Sequence, residues 1–461
     1  MRQTLLLCLA AGAAFSPALW APFHLDDFAL FPHPDWDIGQ TRPLTWFSFW
    51  LSGRISGESP FWWRLVNLLL HLASIAVLKS ALGRILTPRA AFIAAALFAL
   101  HPIQTEAVSY VFARATLLMT LFCLMSLRSW AMGKPWTSVA WFAPALLAKE
   151  ECVAFPLALA VLFGRGHMRA IATMLGLAAA AGFRVLYVAS ITTGSGAGAQ
   201  AGVTALDYLQ TQGVSILRYL RLLILPYGFT IESPVDLATG APAALAWAAL
   251  VLIGVLAART DAARWFAASL ILLLPSSSIF PAADLAADRR VYLPLAALAA
   301  GAAVSASAFN RRAVPAVLVL LAGISFRQAL LWSSPESLWR EAVRLSPERV
   351  RPRIQLARQL PPSQALAVLQ EAGKIAPDNP AVASETGRVL LEAGRPELAL
   401  GEFGRALALS PGDANAINNR GVALWKLGQI EAARADFERA LQIDPRLSDA
   451  RRNLDQIRER H

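Results

Sequence analysis

Apolar residues gather into long runs over the first two thirds of the chain and into short, regularly spaced stripes over the last third. Eleven runs approach the roughly 20 apolar residues that a membrane-crossing helix needs. They lie near 4–23, 61–82, 89–101, 115–132, 136–149, 152–164, 169–190, 241–258, 265–281, 291–309 and 313–332. The stretch 204–225 differs: Pro226 ends it, and Arg218 and Arg221 share one helical face. It reads as an interfacial helix inside a long outer segment, 191–240. Beyond residue 332 the pattern turns amphipathic, with prolines at 377, 411 and 445. The expected architecture is all-α: a polytopic transmembrane bundle of about eleven spans over 1–332, then a soluble helical domain over 333–461.

Charge follows the same division. Residues 333–461 hold 19 Lys+Arg and 17 acids, while the much longer 1–332 holds 23 and 14. Only 16% of the 461 residues are charged, against about 25% in an average soluble domain. The net charge of +11 sits mostly in the apolar part. There, basic residues set membrane orientation, so no nucleic-acid partner is expected. Cys8, Cys123 and Cys152 all fall in apolar segments, with neither metal spacing nor a pairing pattern. The first run has the look of a signal peptide, but no small-x-small site precedes Trp20-Ala21-Pro22. It is read as an uncleaved first span.

With the N-terminus inside, the inner loops carry Arg2, Lys79, Arg84, Arg89, Arg128, Lys134, Arg165, Arg169, Arg259, Arg264, Arg311 and Arg312, with Asp261 as their one acid. The other acids of this part lie outside or at outer span ends, and eleven crossings put residues 333–461 outside too. The expected location is a bacterial inner membrane, with a cytoplasmic N-terminus and a periplasmic C-terminal domain.

Pro377, Pro411 and Pro445 are spaced by 34 residues, and the same spacing relates Gly387 to Gly421, Ala399 to Ala433, Phe403 to Phe437 and Ala406 to Ala440. This is the tetratricopeptide pattern, in which a small residue admits the neighbouring helix and an aromatic fills the groove. It predicts repeats near 348–377 (shortened), 380–413 and 414–447, a lone leading helix at 335–347 and a capping helix at 448–461. Such a solenoid is expected to bind a peptide or another subunit.

Candidate chemistry concentrates on the outer side. After the first run comes Phe23-His24-Leu25-Asp26-Asp27-Phe28, then His33, Asp35, Asp37 and Arg42-Pro43-Leu44. Burial there would raise a carboxylate pKa and make it a usable base. A pair of acids is also able to hold a divalent ion with His24 or His33; the bland reading is a solvated acidic loop. His101-Pro102 leads to Glu106 and Arg114, eight residues apart, either an ion pair closing a helix hairpin or the entrance to a site. Lys149-Glu150-Glu151 ends the fifth run, as snorkelling charge or as a Lys–Glu pair that orients a phosphate. Asp284 and then Asp288-Arg289-Arg290-Val291-Tyr292 open the tenth. Two adjacent arginines suit a lipid phosphate, with Arg218 and Arg221 as weaker candidates. Twelve of the 14 tryptophans precede residue 333 and fit an interfacial aromatic belt. No P-loop, dinucleotide fingerprint, zinc spacing or Gly-x-Ser-x-Gly elbow occurs.

In this order, the motifs resemble the transmembrane and tetratricopeptide-repeat O-mannosyltransferases of the GT-C class. The matching pieces are Asp26-Asp27, Arg42-Pro43-Leu44, His101-Pro102 with Glu106-Ala107-Val108, Arg114, Lys149-Glu150, Asp288-Arg289 with Tyr292-Leu293-Pro294, and the repeats. The chain departs from the family at Thr116, where an acid is usual, at Arg290 in place of a tyrosine, and at Glu151-Cys152. The resemblance implies a GT-C-like helical domain and a sugar donor carried on a polyprenyl phosphate. It implies Asp26 and Asp27 as catalytic residues and Arg289 at the donor phosphate, with Arg290 and Lys149 beside it. His24, Arg42, His101, Glu106, Arg114, Glu150, Asp288 and Tyr292 would line the site. No cofactor is required, and a divalent metal is left open.

The expected function is transfer of a hexose, mannose in the family, to a hydroxyl such as a protein Ser or Thr at the outer face. Two rivals stand beside it. An O-antigen ligase or polymerase needs a histidine in a later large loop, which 191–240 lacks. A non-enzymatic scaffold presenting the repeats leaves the outward acids unexplained, since interfacial charge is costly.

Overall fold

The computed structural model describes residues 2–31, 36–37, 41–164, 166–191, 202–278, 280–282, 284–305 and 313–460. His33, Asp35, Arg165, Arg311 and Arg312, and the ends of the runs 291–309 and 191–240, lie outside the described residues. Every regular element described is helical. The chain divides into two compact units, Met1–Ser334 and Pro335–His461.

In the first unit, six helices among the described residues are long and apolar enough to cross a membrane. They are Arg2–Trp20, Pro60–Leu82, Val111–Ala131, Met168–Tyr187, Ala241–Ala258 and Ala313–Trp332. A seventh is formed if Pro88–Leu100 and Pro102–Ser109, bent by 49°, make one span. This corrects the expected eleven. Backbone breaks shorten four of the other runs, and the described part of the fifth, 291–309, is the helix Tyr292–Ser305. Pro102 interrupts one just after His101, and Pro135 and Pro144 lie within the 14-residue helix Pro135–Ala148. Gly164, with φ of 72°, stops the nine-residue helix Phe155–Phe163, and Leu274-Pro275 ends Ala263–Leu273 in a 3₁₀ turn. A proline removes a backbone donor, and a left-handed glycine ends the helical ladder.

The most apolar helices are the least covered. Leu245, Val251, Val319 and Leu320 are exposed, an arrangement that suits hydrocarbon surroundings. The interior is built from Phe98, Phe142, Leu78, Trp265, Leu295 and small alanines of Pro88–Leu100 and Tyr292–Ser305. The helix expected at 204–225 forms as Ala205–Ile224 and is not among the apolar spans.

The second unit is a run of helical hairpins. A leading helix, Pro335–Leu345, is followed by Val350–Ala357 with Pro362–Ile375, Pro380–Glu392 with Pro396–Leu409, Ala414–Lys426 with Ile430–Ile443, and Ser448–Arg460. A Cβ on Gly387 would lie 2.7 Å from the Phe403 ring, and one on Gly421 2.7 Å from the Phe437 ring. Both rings are fully buried, each contributing roughly 1.5–3 kcal/mol of burial. The glycines are therefore the docking floor for the next helix.

Candidate active site

The first long helix gives way at Ser16-Pro17 to 3₁₀ turns. The loop that follows is organised by Asp27, which has no exposed surface. The His24 backbone N–H donates to Asp27 Oδ2 at 3.1 Å, and the Phe112 N–H donates to Oδ1 at 2.9 Å. The Arg64 guanidinium lies 3.7 Å from Oδ2 and donates to the carbonyls of Ala21, Pro22 and Ser109. Burial pushes the Asp27 carboxyl up to about 7, against the pull of Arg64 and the two N–H donors. His24 is also buried. Its Nε2–H donates to the Trp332 carbonyl at 3.0 Å, and burial, with Arg64 nearby, lowers its pKa to about 4. It is neutral at pH 7.

Asp26 faces the other way and is exposed. Its Oδ2 accepts the Tyr110 hydroxyl proton at 2.9 Å, while its own N–H donates to the same hydroxyl at 3.2 Å. Tyr110 lies one turn beyond Glu106. Glu106 takes both the N–H and the guanidinium of Arg289, and Arg289 also reaches Asp284 at 3.2 Å. Arg289 is close enough to Tyr110 and Arg42 for their charges to interact.

Arg42 and Glu150 form a two-pronged pair across 108 residues of sequence. Burial alone would raise the Glu150 carboxyl, but the Arg42 guanidinium overrides it and holds the group at about 2. Arg290 donates to the Tyr208 hydroxyl at 3.1 Å and the Asp284 carbonyl at 2.7 Å. Arg42, Glu150, Glu151, Tyr208 and Arg290 line a cleft of about 320 Å³, whose other walls include Val153, Val185, Leu186, Phe280 and Pro281. It thus combines two guanidinium groups with apolar walls.

The expected residues do not all meet there. Lys149 is buried, pairing with Glu151 at 2.8 Å and donating to Thr116 at 3.0 Å. It is Glu151, not Glu150, that holds it. Glu106 pairs with Arg289, and Arg114 has neutral partners instead: Asn67, Ser48, Ser52 and the Trp63 carbonyl. Arg114 also stacks on Phe49 and Trp63. Asp288 is buried against Arg218 at 2.5 Å, which occupies Arg218, whereas Arg221 is exposed. His101 is tied to Ile103 and Leu223, and Tyr292 to His71. Both are buried away from the cleft lining. Tyr110, Tyr208 and Trp332 were not anticipated. Tyr110 had a signal, its place one helical turn after Glu106; Tyr208 and Trp332 lie far off in sequence and had none. Among the described residues, no group of three or more His, Cys, Asp or Glu gathers to hold a metal ion.

Residues 384–448 match the Tetratricopeptide repeat family. The chain is 36% identical over 120 residues to Protein O-mannosyl-transferase TMTC3 of Mus musculus, a match covering 24% of this chain and 13% of the relative. It is 40% identical over 91 residues to Protein O-mannosyl-transferase F38B6.6 of Caenorhabditis elegans, covering 19% and 13%. The matched stretches are thus a small part of these relatives. Among solved structures, MamA 41-end from Desulfovibrio magneticus RS-1 is 24% identical, covering 29% of this chain and 80% of that one, with a TM-score of 0.26.

Proposed function

We propose that this protein is a membrane glycosyltransferase that moves a hexose, mannose by analogy with the named relatives, from a polyprenyl phosphate to a protein hydroxyl. The observation that carries the reading is the cleft where Arg42 and Arg290 face apolar walls. A phosphate attached to a hydrocarbon chain needs that combination. Arg289, held by Glu106, adds a further positive charge that acts on both Tyr110 and Arg42.

In this reading Asp26 is the base and Asp27 the residue that shapes its loop. Asp26 takes the proton of the acceptor hydroxyl as the hydroxyl oxygen bonds to the anomeric carbon. The bond from that carbon to the phosphate oxygen breaks, and its electron pair leaves with the polyprenyl phosphate. Arg42 and Arg290 meet the charge that develops. No nucleotide takes part. The repeat unit recruits the protein acceptor or a partner. The basic turns favour a cytoplasmic N-terminus and a reaction on the opposite face, the periplasmic side if the membrane is a bacterial inner membrane.

The test is transfer from a synthetic polyprenyl-phosphate mannose to a Ser/Thr peptide by the purified full-length protein in lipid nanodiscs. Asp26→Asn is expected to lose about a hundredfold or more in rate with its thermal midpoint unchanged. Full activity of this variant refutes the assignment of the base. A wild-type protein that neither transfers sugar nor co-purifies with a polyprenyl phosphate refutes the function.

A further inference from the structure

We infer that Tyr110 is the positioning residue for Asp26, fixing which carboxylate oxygen meets the acceptor; the inference rests on the glycosyl-transfer reading above. A tyrosine hydroxyl has one proton to give. Tyr110 gives it to Asp26 Oδ2 at 2.9 Å and receives the Asp26 N–H at 3.2 Å. The two bonds engage one carboxylate oxygen and the backbone of the same residue, so the side chain is held against its own main chain. Among the described residues Oδ1 has no hydrogen-bond partner, and Asp26 is exposed. Oδ1 is the oxygen left to accept the hydroxyl proton.

Tyr110 is itself held firmly. Its N–H donates to the Glu106 carbonyl at 3.1 Å, and its carbonyl accepts from the Asn67 amide at 2.9 Å. Its ring packs against Trp332 and Phe112, with centroids 6.0 and 6.3 Å away. Phe112 in turn donates its N–H to Asp27. The two neighbouring aspartates are thus fastened to the same three-residue stretch, Tyr110 to Phe112. Asp27 is fixed by backbone and Asp26 by side chain. The base therefore cannot rotate freely although it is exposed, and a near-attack geometry is retained between turnovers. Tyr110 touches neither acceptor nor donor in this account.

The test is a pair of variants and their combination, with transfer assayed in nanodiscs. Tyr110→Phe keeps the ring between Trp332 and Phe112 and removes only the hydroxyl. It is expected to lower kcat about tenfold, to leave KM for the donor within about twofold, and to leave the thermal midpoint in place. Asp26→Glu keeps a carboxylate but moves it away from the hydroxyl. In that background Tyr110→Phe is expected to cost nothing further. An unchanged kcat in Tyr110→Phe, or the same fold loss in both backgrounds, overturns the inference while leaving the function standing. Absence of transfer by the wild type overturns the function and this inference with it.

Discussion

The two units use charge in opposite ways. In the first, pairs join residues far apart in sequence and are wholly or partly withdrawn from water: Arg218 with Asp288, 70 residues away, is buried, and Arg289 with Glu106, 183 away, is buried on the Glu106 side. In the second, many pairs link neighbours on one helix and stand in water, as Arg340 with Glu336 and Arg434 with Glu438 do. The same residue types therefore do different work. A buried pair has given up its hydration, so each member depends on the other. An exposed pair exchanges one well-solvated state for another. Charge kept in an apolar interior at such cost is one ground for proposing a functional site in the first unit.

Breaking a buried pair is the largest effect expected. Among the described residues, two buried guanidinium nitrogens of Arg218 have no hydrogen-bond partner; Asp288 is its ion-pair partner, with a weaker attraction from Glu106. Asp288→Ala is expected to cost about 3–5 kcal/mol, read as loss of thermal stability in detergent. Replacing both residues together, Arg218→Met with Asp288→Leu, should recover most of it. Equal losses in the single and double variants would show that packing, not the unpaired charge, is at stake.

The repeat unit is most vulnerable through packing. Gly421→Ala places a methyl 2.7 Å from the Phe437 ring and is expected to cost about 1–3 kcal/mol. Gly404→Ala has nothing within 4 Å and should instead stabilise by up to about 1 kcal/mol, through helix propensity. Chemical denaturation of the full chain, followed at Trp425, reads both. Opposite signs at two glycines 17 positions apart would confirm that the floor under the ring is what matters.

Asp27 and Asp26 bring the contrast into a single loop, one buried and one exposed. Asp27→Asn keeps a single acceptor oxygen where two N–H groups need one each. It should cost about 1–3 kcal/mol, whereas Asp26→Asn should leave stability unchanged. The pH dependence has a definite sign. Burial raises the folded carboxyl from 3.8 to about 7, so the folded chain holds a proton that the unfolded chain releases. The stability this contributes is fully present below about pH 4 and is lost as pH rises through about 7. The thermal midpoint should therefore fall between about pH 4 and pH 7, and that fall should be smaller in Asp27→Asn. A pH response identical in the two proteins would assign the titration to another group.

Legibility in the sequence followed the range of the interaction. The repeats could be read because Gly387 and Phe403, or Gly421 and Phe437, recur at a fixed period and meet within one hairpin. The apolar runs could be read, but not their breaks, because the backbone rather than the hydropathy decides where a helix stops, as at Gly164 and Pro275. Of the acidic and basic motifs along the first unit, Arg42, Glu150 and Arg290 come together at one cleft. The pairing of the motifs did not follow from their order along the chain. An ion pair of Glu106 with Arg114, eight residues on, was one of two readings, and Glu106 pairs with Arg289 instead; of the two glutamates after Lys149, Glu151 is its partner. A side chain's partner in a helical bundle is chosen by which helix ends converge, and no local pattern encodes that. Tyr110 had a local signal, one turn after Glu106, but its partner Asp26 lies 84 residues earlier and had none.

The smallest effect completes the contrast. Arg434 and Glu438 lie four apart on Ile430–Ile443, 3.2 Å between charged atoms, each close to half exposed. The order is the less favourable one for a helix, with the base N-terminal to the acid. Glu438→Ala is expected to change stability by less than about 1 kcal/mol, and raising the salt to about 1 M should shrink that difference further as screening shortens to a few ångströms. The Asp288→Ala loss should barely respond to the same salt, because ions do not enter the interior where Arg218 sits. If both losses respond to salt alike, the Arg218–Asp288 pair is solvated in the folded protein, and buried charge is no longer a ground for proposing a functional site in the first unit.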